Sequence, residues 1–120
     1  DQAEPQKLVT LIAEESAKKE NIPTLIFFVV MAVVVAPIAE EILFRGILYP
    51  AIKQIGYPRL AAIGTALLFA LFHVNLLTFA SLMVVALGLI ALYEFTDNLL
   101  APITAHAVFN ASNLIMLFWR

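Results

Sequence analysis

Residues 29–49 read VVMAVVVAPIAEEILFRGILY. A membrane-crossing helix needs ~20 predominantly apolar residues, and this stretch is of that length. Its charges are Glu40, Glu41 and Arg45, all within six positions. An ionisable side chain at the centre of a bilayer costs at least ~2.5–3.5 kcal/mol, so such a group marks a functional site by default. Two histidines, His73 and His106, also lie inside apolar runs.

The rest of the chain fits the same setting. It has 120 residues, 62% of them hydrophobic and 13% charged, which is about half the usual charge of a soluble domain. A chain this short has too little interior to hide that much apolar surface from water, whereas a bilayer solvates it. The net charge of −2 leaves no basic footprint, so nucleic acid is not expected as a partner. Without cysteine there is no disulfide, no thiol nucleophile and no thiolate metal site. The first twenty residues are polar and mixed in charge, unlike a cleavable signal peptide.

Periodicity and breakers divide the chain into a polar segment, 1–22, and a membrane-embedded core, 23–120. Within the first, residues 6–20 place Leu8, Leu11 and Ile12 on one face, predicting a short amphipathic helix in water or at the interface. Asn21-Ile22-Pro23 breaks it and opens the next helix. Four transmembrane spans follow: Thr24 to Gln54, Arg59 to Asn75, Phe79 to Phe95, and Leu99 to Trp119. The predicted fold is all-α, a multi-pass helical bundle in the membrane, with the cell membrane of a prokaryote as the expected location. Pro37 removes a backbone donor one turn before the glutamates and is expected to kink the first span. Ala62, Ala66 and Ala70 form a smooth ridge for close packing. Thr96-Asp97-Asn98 is expected to cap the last span, and Trp119 with Arg120 to anchor its end. Lys53 and Arg59 at the first loop are balanced by Lys18 and Lys19 at the other end, so charge gives no orientation.

Helix geometry locates the polar groups. Glu41 and Arg45 are four apart and share a face, so they can pair. Glu40 is rotated by ~100° and points elsewhere, which leaves it free. A desolvated carboxylate accepts a proton more readily than one in water. Glu40 and His73 each lie about fifteen residues from the first loop, ~22 Å at 1.5 Å per residue, hence at one depth in antiparallel helices. His106 falls within one to two turns of that level, with Asn110 and Asn113 on its face. Two carboxylates, two imidazoles and an amide therefore gather in one layer. Such a layer suits peptide hydrolysis without a covalent intermediate. A carboxylate aided by an imidazole deprotonates water, and an imidazole with an amide donates to the oxyanion. A Ser or Thr nucleophile stays open, although no spacing links Ser81, Ser112, Thr65, Thr78 or Thr104 to a histidine.

Glu40-Glu41-x-x-x-Arg45, Phe69-x-x-x-His73 and His106-x-x-x-Asn110 occur in that order on three apolar spans. With their surroundings, EEILFRGILYP, FALFHVN and HAVFNAS, they resemble the CAAX protease and bacteriocin-processing family of intramembrane glutamic endopeptidases, also called the Abi family. The resemblance covers about residues 25–118. It implies a metal-independent endopeptidase without cofactor, acting on a peptide or protein substrate in the lipid bilayer. Carried over by motif, Glu40 would activate water with help from His73. His106 and Asn110 would form the oxyanion site, and Glu41 with Arg45 would brace it. The best-known members have more membrane helices than this chain.

Plainer readings stand beside this one. Glu40, Glu41 and Arg45 could be a structural ion pair with a spare carboxyl. The histidines and Asn110 could simply join helices. Phe69 reads as packing beneath His73, and Pro37 and the alanine ridge as structural. Two histidines and two carboxylates could bind zinc. However, HExxH is absent, the ligands would come from three helices and Arg45 would repel the cation, so no metal is expected. The alternative function is a non-catalytic membrane protein of the same family, serving as a bacteriocin-immunity or scaffold factor.

Overall fold

A computed structural model describes residues 4–17 and 21–119. Every described element is helical: α1 Glu4–Ala17, α2 Ile22–Gln54, α3 Pro58–Phe72, α4 Phe79–Thr96 and α5 Leu100–Phe118. Lys18, Lys19 and Arg120, expected as flanking charges, lie outside the described residues.

α2, α4 and α5 are long and apolar enough to cross a membrane. α3 has 15 residues. At 1.5 Å per residue it covers ~22 Å, less than the ~30 Å hydrocarbon core. The expected span to Asn75 is therefore shorter than the sequence predicts. The chain leaves the helix at His73, and Val74 adopts the left-handed conformation with φ 47°, which ends the helical ladder. His73 and Val74 close α3 with tight bonds to Ala70 and Leu71.

The helices form a ring. The C-terminal end of α2 packs on α3, α3 on α4, α4 on α5, and α5 returns to the middle of α2. The core holds Phe44, Tyr49, Ala61, Ala66, Phe69, Ala86 and Ile90. Ala66 and Ala70 of the expected ridge are fully buried, and Ala61 joins them while Ala62 is half-buried. Small side chains here let the helices approach closely. Large apolar residues such as Leu60, Ile63, Val84, Val108 and Ile115 face outward, as a lipid solvent permits. α1 packs on the start of α2 and buries Ile12, while Leu11 is half exposed. At the α4–α5 junction Asp97 is left-handed and Asn98 Oδ1 accepts from the Leu100 N–H at 2.9 Å, at the first residue of α5. Trp119 is exposed at the far end.

α2 runs unbroken past Pro37, but its pitch changes twice. Met31–Val35 and Ile42–Leu48 are π-helical. Ala36 donates to Met31, and Tyr49 to Phe44, both five residues back. Each donor immediately precedes a proline, Pro37 or Pro50. A proline ring inside an α-helix clashes with the carbonyl four residues earlier and offers no N–H. One wide turn before each ring accommodates it, so the expected effect of Pro37 is carried by a π-turn.

Candidate active site

The two wide turns bracket the glutamates. Glu41 and Arg45 are completely buried, and Arg45 Nη1 donates to Glu41 Oε1 at 3.1 Å, so the i to i+4 pair forms inside the bundle. Arg45 Nη2 donates to the Ala86 carbonyl of α4 at 3.1 Å. The guanidinium carbon lies 4.6 Å from the centre of the Phe69 ring of α3. One arginine thus ties three helices together, which disperses a charge that lipid would not solvate.

His106 enters from α5 and is 3% exposed, so its polar atoms must find partners inside the protein. Its Nδ1 lies 2.7 Å from Glu41 Oε1 and its Nε2 lies 3.4 Å from Glu40 Oε2. The sequence places Glu40 on a different face from Glu41. In the fold both carboxylates face one imidazole from its two nitrogens, Glu41 by a hydrogen bond and Glu40 at ion-pair distance without one. A neutral imidazole has one N–H. Glu40 Oε2, Glu41 Oε2 and Arg45 Nε are buried without a hydrogen-bond partner. Unpaired buried polar atoms are expensive in a dry interior, so each calls for a reason.

His73 is the residue that closes α3. It sits at the end of α3, half-buried, with Nδ1 2.7 Å from the Phe69 carbonyl. A carbonyl only accepts, so Nδ1 carries the proton and the Nε2 lone pair of the neutral ring is free. Among the described residues no hydrogen bond or ion pair joins His73 to Glu40. Phe69 touches both histidines: its ring centre is 4.6 Å from that of His73 and 5.7 Å from that of His106. Asn110, one turn beyond His106, donates its amide to the Ala32 carbonyl of α2 at 2.8 Å. Asn113 is exposed and has no place in the layer.

The site therefore brings together Glu40, Glu41, Arg45 and His106 directly, with Asn110 and His73 at its margins. Among the described residues no group of three His, Cys, Asp or Glu is arranged to hold a metal ion.

Residues 22–112 match the family described as type II CAAX prenyl endopeptidase Rce1-like. The chain belongs to that family. No curated protein and no solved structure matches it. The Rce1-like match runs from the start of α2 into α5 and includes every polar group of the layer. Family and apolar helices together make this an integral membrane protein.

Sequence reasoning missed a second polar cluster in this Rce1-like chain. Tyr49 and Lys53 of α2 both donate to Glu94 Oε1 of α4, each at 2.5 Å. With Asp97, Tyr93, Pro50 and Gln54 they line a cleft of about 370 Å³, away from the glutamates and toward the Gly56 end of the bundle. The signal was Tyr49 and Lys53 at i and i+4, facing the single charge of the third apolar span. The Arg45 bond to Ala86 left no trace in the sequence, since a backbone carbonyl is present at every residue.

Proposed function

We propose that the chain is an intramembrane endopeptidase that uses Glu40 to activate water. The observation that carries this reading is His106 held between the Glu40 and Glu41 carboxylates, inside the helix bundle of an Rce1-like protein. Each glutamate has one buried carboxylate oxygen without a hydrogen-bond partner, but Glu41 is held by Arg45 and His106 through its other oxygen, whereas Glu40 has no arginine partner among the described residues. Glu40 takes a proton from water as the water oxygen bonds to the scissile carbonyl carbon. His73 assists through its free Nε2. The oxyanion accepts hydrogen bonds from His106 Nε2 and from the Asn110 amide, and its collapse breaks the C–N bond. The leaving nitrogen takes the proton held by Glu40. Glu41 and Arg45 brace the layer. In this reading the His106 and Asn110 donors stabilise the oxyanion and no metal takes part. The substrate is a peptide or protein presented at the membrane, the prenylated C-terminal CAAX segment being the first to try.

The test is cleavage of a prenylated CAAX peptide and of a membrane-tethered reporter by the purified chain in detergent or lipid. Wild type cleaves, Glu40→Ala is inactive while its melting temperature is retained, and a strong chelator has no effect. Cleavage that survives Glu40→Ala, or that a chelator abolishes, sinks the glutamate mechanism.

A further inference from the structure

The Asn110 contact has an unusual origin. In a regular α-helix the Ala32 carbonyl accepts from the N–H of residue 36. Here Ala36 turns to Met31 instead, five residues back. In that wider pattern Ala32 would accept from residue 37, which is a proline and has no N–H. The carbonyl is therefore left without a donor from its own helix, in a setting where an unsatisfied backbone group costs several kcal/mol. Asn110 Nδ2 fills that need at 2.8 Å from α5.

The consequence for Asn110 is orientational. An amide nitrogen carries two N–H groups about 120° apart. With one fixed on Ala32, the direction of the other is set, and the side chain cannot flip oxygen for nitrogen without losing the bond. We propose that Pro37 is a positioning residue for Asn110: by stripping Ala32 of its backbone donor, it makes a carbonyl that clamps the Asn110 amide and aims its second N–H. The inference rests on the reading that Asn110 serves as an oxyanion donor. Pro37 itself is fully buried and touches no reacting atom. Its function is to withhold an N–H. A residue that looked structural under every reading thereby gains a role in the site.

The clamp predicts coupling between positions 37 and 110. Pro37→Ala restores an N–H that reaches Ala32 directly, or lets Ala36 return to it, and either competes with Asn110. Two readouts on the full chain in lipid separate the clamp from the catalytic reading. In thermal unfolding, Asn110→Ala lowers the melting temperature of the Pro37 protein clearly and that of the Pro37→Ala protein much less, since contacting residues couple by ~0.5–3 kcal/mol. In peptide cleavage, Pro37→Ala lowers kcat ~tenfold with KM unchanged, within the range that misplacing a group by ~1 Å allows, and has less than about a twofold effect when Asn110 is already alanine. Pro37→Ser supplies the same N–H should the alanine variant not fold. Additive melting shifts overturn the clamp. Coupled melting shifts with kcat unmoved by Pro37→Ala in an active enzyme overturn the positioning role. Coupled melting shifts in a chain without peptidase activity uphold the clamp and count against the proposed function instead.

Discussion

Glu41 Oε1 receives two partners at once: Arg45 Nη1 at 3.1 Å and His106 Nδ1 at 2.7 Å. One carboxylate oxygen on α2 thus links its own helix to the catalytic candidate on α5, and through Arg45 to the Ala86 carbonyl on α4. Removing one member of such a chain strands the others in a medium that cannot solvate them.

Glu41→Ala is therefore expected to destabilise the protein by ~3–5 kcal/mol, because Arg45 is left as an uncompensated buried charge. Glu41→Ala combined with Arg45→Leu loses less than Glu41→Ala alone, since the stranded charge is gone as well. Unfolding in detergent, with both singles and the double variant, measures this. Equal losses for Glu41→Ala and the double variant would refute the pairing.

His73→Ala behaves differently. The side chain is half-buried at a helix end, with one bond to the Phe69 carbonyl in its own helix, so few contacts between helices are lost. Loss of a proton-transfer group lowers kcat by ~10²–10⁴-fold. The melting temperature should stay close to that of wild type. Steady-state cleavage together with a melting curve checks both halves.

Val74 holds φ at 47° next to His73. A branched side chain in this left-handed region is strained, by ~1–3 kcal/mol, and glycine is not. Val74→Gly is expected to raise stability by up to ~1 kcal/mol, the freer unfolded chain offsetting part of the relief. Thermal unfolding reads the sign. A drop in melting temperature would show that the exposed turn carries no strain to release.

At the Gly56 end, Lys53 and Glu94 are both roughly two-fifths exposed, at 43% and 40%. Solvent screens such a pair to ~0–1 kcal/mol, so Lys53→Met should change stability little. Tyr49 is buried and donates to the same carboxylate. Tyr49→Phe is expected to lower stability by ~0.5–1.5 kcal/mol, the net worth of one hydrogen bond. A larger loss from Lys53→Met than from Tyr49→Phe would reverse this ranking.

Much of this protein was determined by its sequence alone. Apolar runs of membrane length with prolines and polar breaks dictated an all-helical bundle, because in lipid a chain must satisfy its backbone within each helix. Helical spacing paired Glu41 with Arg45, since i and i+4 are neighbours on any α-helix. The same spacing put Asn110 on the His106 face, and the motif order pointed to the family. Two things depended on the tertiary structure. It brought Glu40 as well as Glu41 to His106, because the angle at which α5 meets α2 is set by side-chain packing across the bundle and not by spacing within a helix. It also ended α3 at Phe72, so that His73 closes a helix and bonds the Phe69 carbonyl of its own last turn. Arg45 on Ala86 and Asn110 on Ala32 were invisible for one reason. Their acceptors are backbone carbonyls, whose position depends on how helices dock, and, at Ala32, on a wide turn that leaves a proline facing an unmet hydrogen bond.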